Sequence, residues 1–149
     1  MNGAVSDPLE EFNQLYKTLD DIYHKYAKSR GLSDSALWLL YSLRSSSSAH
    51  TQSELCSAWH YPPQTLNSAL KALEQRGMIA LESIPGNRKN KRVALTAEGK
   101  DFARRVVDPL ISAERKAFRA LDRGECMMLL SLTRKYTAIL DGQVASIRG

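Results

Sequence analysis

Two groups of side chains in the middle of the chain have the types and spacing to grip a polyanion. Arg88, Lys89, Lys91 and Arg92 place four cations within five residues, and the stretch 86–92 contains no acid. Upstream, Gln64, Thr65, Asn67 and Ser68 carry amides and hydroxyls, Lys71 follows one turn later, and Pro63 opens the segment. Duplex DNA requires both kinds of group, cations near phosphates and hydrogen-bonding side chains at base edges. Carboxamides can pair with an adenine edge, and a lysine can reach a phosphate or a guanine. A basic turn by itself is an ordinary solvated loop, and a polar helix face by itself is an ordinary surface. Their succession, on a face without acids, favours contact with DNA.

Other chemistries find little support. No glycine-rich phosphate loop, H-E-x-x-H pattern or nucleophile elbow occurs. Asp20 and Asp21 are adjacent on a helical segment and so diverge, which removes them as a paired acid–base site. An enzyme is therefore not expected. His24, His50 and His60 are scattered without metal-ligand spacing, so neither metal nor cofactor is expected. Cys56 and Cys126 lack CxxC spacing and read as free thiols of a reducing compartment.

The segments that position these residues are mostly helical. The chain has 149 residues, 43% hydrophobic and 25% charged, with a net charge of +5. That composition supports a folded core. No apolar run approaches the roughly 18 residues of a membrane span. Met1–Pro8 lacks the basic start and apolar stretch of a secretory leader, so a cytoplasmic protein is expected. Met1–Tyr26 holds five acids and two bases, so the positive charge is concentrated later in the chain.

Apolar residues at spacings of three and four, from Leu9 to Tyr26, predict a first helix from about Pro8 to Ser29, started by Asp7-Pro8 and stopped by Gly31. Ser33 or Asp34 caps a second helix, to about Leu43, and the serine run 45–48 ends it. Thr51 and Glu54 form a capping box for a short third helix ending near Trp59. Tyr61-Pro62-Pro63 breaks and restarts the helix. The fourth helix, Pro63 to Arg76, buries Leu66, Ala69, Leu70 and Leu73 and ends at Gly77. Strands are predicted at 79–84 and 92–96, joined by a flexible basic turn at 85–91. A fifth helix starts after Thr96 and carries Pro109 inside it. A sixth, capped by Asp122 and Glu125, bears a stripe from Leu129 to Ile147.

The fold class is thus mainly α with a small β-hairpin wing. A winged helix-turn-helix domain (32–99) is flanked by N- and C-terminal helical regions (1–31 and 100–149). Thr51-Gln52-Ser53-Glu54-Leu55, Thr65-Leu66-Asn67, Leu73-Glu74-Gln75-Arg76-Gly77-Met78-Ile79 and Leu95-Thr96-Ala97-Glu98-Gly99 stand in an order and spacing that resembles the MarR family of winged helix regulators. The resemblance implies a homodimer built on the first and last helices. It implies a transcriptional regulator, read as a repressor, on a palindromic operator. It also implies a pocket for a small aromatic ligand that releases the DNA, for which Tyr16, Tyr23, Tyr26, Trp38 and Tyr41 are the candidates. The family wing usually has Asp-x-Arg, and those positions here are Asn87 and Lys89. Lysine lacks the planar fork of arginine, so Arg88 is a second candidate for the minor groove. The competing reading is a winged helix module that assembles with proteins and not with DNA. It leaves the basic turn and the acid-free face without a role.

Overall fold

The computed structural model describes residues 7–46 and 50–149, so residues 1–6 and 47–49, among them two serines of the 45–48 run, lie outside the described part. Among the described residues six helices and three strands follow one another: α1 (Pro8–Ser29), α2 (Asp34–Ser45), β1 (His50–Thr51), α3 (Gln52–Trp59), α4 (Pro63–Gln75), β2 (Ile79–Ile84), β3 (Asn87–Leu95), α5 (Ala97–Ala120) and α6 (Arg123–Arg148). The chain divides into two compact units, residues 1–108 and 109–149. The division falls inside α5 at Pro109, whose missing N–H interrupts the helical ladder.

Helix boundaries follow local chemistry. The Asp7 carboxylate accepts from the Leu9 N–H ahead of Pro8. The Ser33 hydroxyl accepts from the Ala36 N–H at the start of α2. Thr51 with Glu54, and Asp122 with Glu125, close reciprocal capping boxes on α3 and α6. At the end of α4, Gly77 adopts φ 73°. The Met78 N–H then reaches back to the Leu73 carbonyl and the Gly77 N–H to that of Glu74, which satisfies the last carbonyls of the helix.

The core of the first unit is leucine-rich. Leu37, Leu39 and Leu40 of α2 are buried with Leu55 of α3, Leu66, Leu70 and Leu73 of α4, and Val93 of β3. The sheet has the order β1-β3-β2, all antiparallel. Strand β1 was not anticipated. It pairs His50 with Val93 and Thr51 with Arg92, so the N-cap of α3 is itself a sheet residue. Arg44 and Asp108 form a two-pronged ion pair, with both nitrogen–oxygen distances 2.8 Å, which ties the end of α2 to α5. That guanidinium holds the Asp108 carboxyl below the usual aspartate range.

Two long helices carry exposed apolar side chains. On α1, Leu9, Phe12, Leu15, Tyr16, Leu19 and Ile22 are exposed. On α6, Leu129, Leu132, Tyr136, Ile139, Leu140, Val144 and Ile147 are exposed along one stripe. No described helix is long and apolar enough to cross a membrane.

Candidate nucleic-acid interface

The orientation of α4 is decided by its apolar side. Leu66, Ala69, Leu70 and Leu73 are buried, and each fully buried leucine is worth about 1.5–3 kcal/mol. Rotating the helix to hide its polar face would forfeit that burial. Pro63, Gln64, Thr65, Asn67, Ser68 and Lys71 are consequently all exposed. The Ser68 hydroxyl donates to the Gln64 carbonyl within the helix, and its lone pairs remain available. The first turn of α4 has no acidic residue and no side-chain cap. Its free N–H groups give that end a partial positive charge.

The approach to α4 is set by the preceding turn. His60 takes the left-handed conformation, φ 53°, between the end of α3 and Pro62-Pro63. Just before it, the Trp59 indole N–H donates to the Ser42 hydroxyl, and the Trp59 ring stacks on Trp38 with centroids 4.9 Å apart. Tyr23 and Tyr41 complete the cluster, at 4.8 and 5.4 Å from Trp38. Burial pushes the nearby Tyr61 hydroxyl above its ordinary pKa, and the Asp34 charge adds to that shift.

Three of the five ligand-pocket candidates, Tyr23, Trp38 and Tyr41, therefore come together. The other two do not join them. Tyr16 lies exposed on α1, stacked with Phe12, and the Tyr26 hydroxyl donates to the Val106 carbonyl at 2.5 Å. Trp59 belongs to the cluster and was not singled out from sequence. As the last residue of a short helix, it offered no periodic signal.

The wing differs from the expected flexible turn. The chain reverses at Pro85-Gly86 alone, with Gly86 at φ 79°, and β3 begins at Asn87. The ladder pairs Ile84 with Asn87 and then Ser83 with Lys91. Residues 88–90 thus have no partner on β2 and form a bulge. Such bulges are a recognised means of re-aiming side chains. Arg88 and Lys89 stand on this bulge, and Lys91 and Arg92 on the paired strand behind it. All four, with Asn87, are exposed. The Asn87 side-chain oxygen accepts from the Lys89 and Asn90 N–H groups, at 3.2 Å each. The Asn90 side-chain oxygen accepts from the Ser53 N–H of α3 at 3.3 Å.

The far end of the wing is equally fixed. The Thr96 N–H donates to the Met78 carbonyl, its hydroxyl donates to the Gly77 carbonyl, and the same hydroxyl accepts from the Gly99 N–H. The end of α4 and the start of α5 are thereby joined through one threonine.

Residues 30–89 match the family model of the MarR family. Among curated proteins, none matches the sequence. The fold is shared with solved regulators at low identity. NMB1585, a MarR family regulator from Neisseria meningitidis, superposes with a TM-score of 0.80 at 18% identity, over 94% of this chain and 98% of that one. A putative MarR family transcriptional regulator from Listeria monocytogenes, solved with a 26mer DNA, gives 0.71 at 21%, over 97% of each chain. S. aureus MepR, solved as a DNA complex, gives 0.73 at 16%, over 90% and 98%.

Proposed function

We propose that this chain, a winged helix protein of the MarR family, is a transcriptional regulator that holds a palindromic operator as a homodimer. One observation carries the reading. The amides and hydroxyls of α4 and the four wing cations are all exposed, while the apolar stripe of α4 is buried. In this assignment Gln64, Thr65, Asn67 and Ser68 read base edges in the major groove. Pro63 opens the helix, so its free N–H groups face the DNA. Lys71, Arg88, Lys89, Lys91 and Arg92 neutralise phosphates or enter the adjacent minor groove. The Listeria protein and MepR were each solved on DNA, which supports the same use of this fold.

The dimer is supported by the exposed apolar stripes of α1 and α6, more apolar surface than a lone chain ordinarily presents to water. A second copy meeting them in a closed two-fold arrangement would place two α4 helices about 10 bp apart on successive major grooves. Regions 1–31 and 100–149 then serve dimerisation and 32–99 serves DNA. Repression is the proposed mode, in the cytoplasm, through occupancy of an operator that overlaps a promoter and so would block transcription. A small aromatic ligand lodging against Tyr23, Trp38 and Tyr41 would act beside the turn that launches α4, and so release the DNA.

The test is salt-dependent binding to duplex DNA. Each neutralised phosphate steepens the fall of affinity with salt. Replacing Arg88, Lys89, Lys91 and Arg92 together by alanine should weaken binding to every sequence and flatten that slope by several units. Unchanged affinity and slope would remove the wing from the interface and leave the protein-assembly reading standing.

A further inference from the structure

We infer that Asn87 and Asn90 are positioning residues. Asn87 presets the basic bulge of the wing, and Asn90 fastens that bulge to α3, so that the wing meets DNA already shaped. The inference rests on the DNA reading above and deepens it.

A three-residue bulge has lost its ladder partners. Its N–H groups would ordinarily turn to water, and its backbone would sample many conformations. Here one side-chain oxygen replaces the missing strand, since the Asn87 carboxamide accepts from both Lys89 N–H and Asn90 N–H at 3.2 Å. An amide oxygen has two lone pairs, so both bonds can form at once. Lys89 is held in this way directly, and Arg88 lies inside the turn so closed.

The second asparagine points the other way. The first-turn N–H groups of a helix have no partner within it. On α3 the Thr51 hydroxyl takes the Glu54 N–H at 3.2 Å, and Asn90 from the wing takes the Ser53 N–H at 3.3 Å. The wing therefore supplies part of the cap of α3. Next to this contact, Thr51 pairs with Arg92 in the sheet. Two attachment points, Arg92–Thr51 and Asn90–Ser53, fix the bulge to the first helix of the helix-turn-helix. A loop ordered beforehand does not have to be ordered on binding.

Asparagine suits position 87 for a further reason. An aspartate there would accept the same two N–H groups but would set a negative charge between the bulge cations and the phosphates. The carboxamide supplies the acceptor and leaves the cationic charge undiminished.

The experiment uses the full-length protein, its N87A, N90A and N87D variants and an R88A control. It combines amide hydrogen exchange without DNA with binding to a random-sequence duplex across a salt series. Wild-type Lys89, Asn90 and Ser53 amides should be protected. N87A should expose Lys89 and Asn90, and N90A should expose Ser53. Each alanine variant should bind about three- to tenfold more weakly, the size of one or two net hydrogen bonds, with the salt slope unchanged because no cation is lost. N87D should keep the amides protected and flatten the slope by about one unit, as R88A does. Alanine variants that lose protection yet bind as wild type would overturn the positioning role. So would wild-type amides that exchange freely. If the wild-type protein fails to bind any duplex while its amides are protected, the DNA reading itself falls and this role falls with it.

Discussion

The most demanding prediction concerns Gly99, in the first turn of α5. A Cβ added to it would stand 1.7 Å from the Met78 carbonyl oxygen and 2.7 Å from its carbon. An ordinary carbon–oxygen approach is roughly 3.3 Å, so the backbones must part by about 1.6 Å. The atoms in the way are main chain, and no rotamer change can relieve the clash. The same spot holds the Thr96–Met78, Thr96–Gly77 and Gly99–Thr96 hydrogen bonds, at 3.1, 2.6 and 3.0 Å. Separation on that scale breaks most of them, at about 1 kcal/mol each. Alanine recovers up to about 1 kcal/mol of helix propensity. The net loss for Gly99→Ala is therefore about 2–4 kcal/mol, with steric strain making the upper end the better guide. For a chain of this size that lowers Tm by roughly 5–15 °C. Urea and thermal unfolding should be followed at one fixed protein concentration, because association adds to apparent stability. A variant within about 0.5 kcal/mol of wild type would refute the claim that α4 and α5 are joined by close backbone contact.

Three further outcomes follow from the geometry. Replacing Gln64 or Asn67 by alanine should alter sequence preference by about 1–3 kcal/mol per lost base contact; an equal loss on random and selected duplexes in a binding titration would contradict base reading. Leu132 and Ile139 are 57% and 53% exposed in the single chain, so a double change to glutamate is harmless to a monomer but would bury two carboxylates from each protomer in a dimer. Sedimentation should then show dissociation, and an unchanged dimer would place the interface elsewhere. Asp108→Asn should weaken the acid sensitivity of folding. The Arg44 hydrogen bonds hold Asp108 below its unfolded pKa, so the pair stabilises fully above that unfolded value, and the stabilisation is lost as pH falls through the lower folded one. A variant that loses stability below about pH 4 as steeply as wild type would show that the pair contributes nothing measurable.

Features governed by near neighbours in the chain were legible in the sequence. Asp7-Pro8, Thr51-x-x-Glu54, Asp122-x-x-Glu125 and Gly77 each act within a few residues, and the helix ends fall where they indicate. The face of α4 was legible for the same reason, since four apolar residues at helical spacing leave one side to water. Contacts that cross the chain were not. Strand β1 has two residues, too few for any periodicity, and exists because β3 offers it partners. In a run of polar residues Asn90 reads as turn material, and only the nearness of Ser53, 37 positions away, gives it a task. The aromatic candidates divided because a stripe reveals which residues share a helix face and not which neighbour covers them. Tyr23 met Trp38, while Tyr26 went to the Val106 carbonyl.

The stacked indoles have one more consequence. The chain contains two tryptophans, Trp38 and Trp59, and both lie in the same stack beside the left-handed turn at His60. All indole emission from the protein therefore arises at the joint between the two helices of the helix-turn-helix. Its wavelength and intensity report on that joint alone, without any label. A movement that tilts α4 by pulling on its leading turn would announce itself in ultraviolet light in the protein by itself.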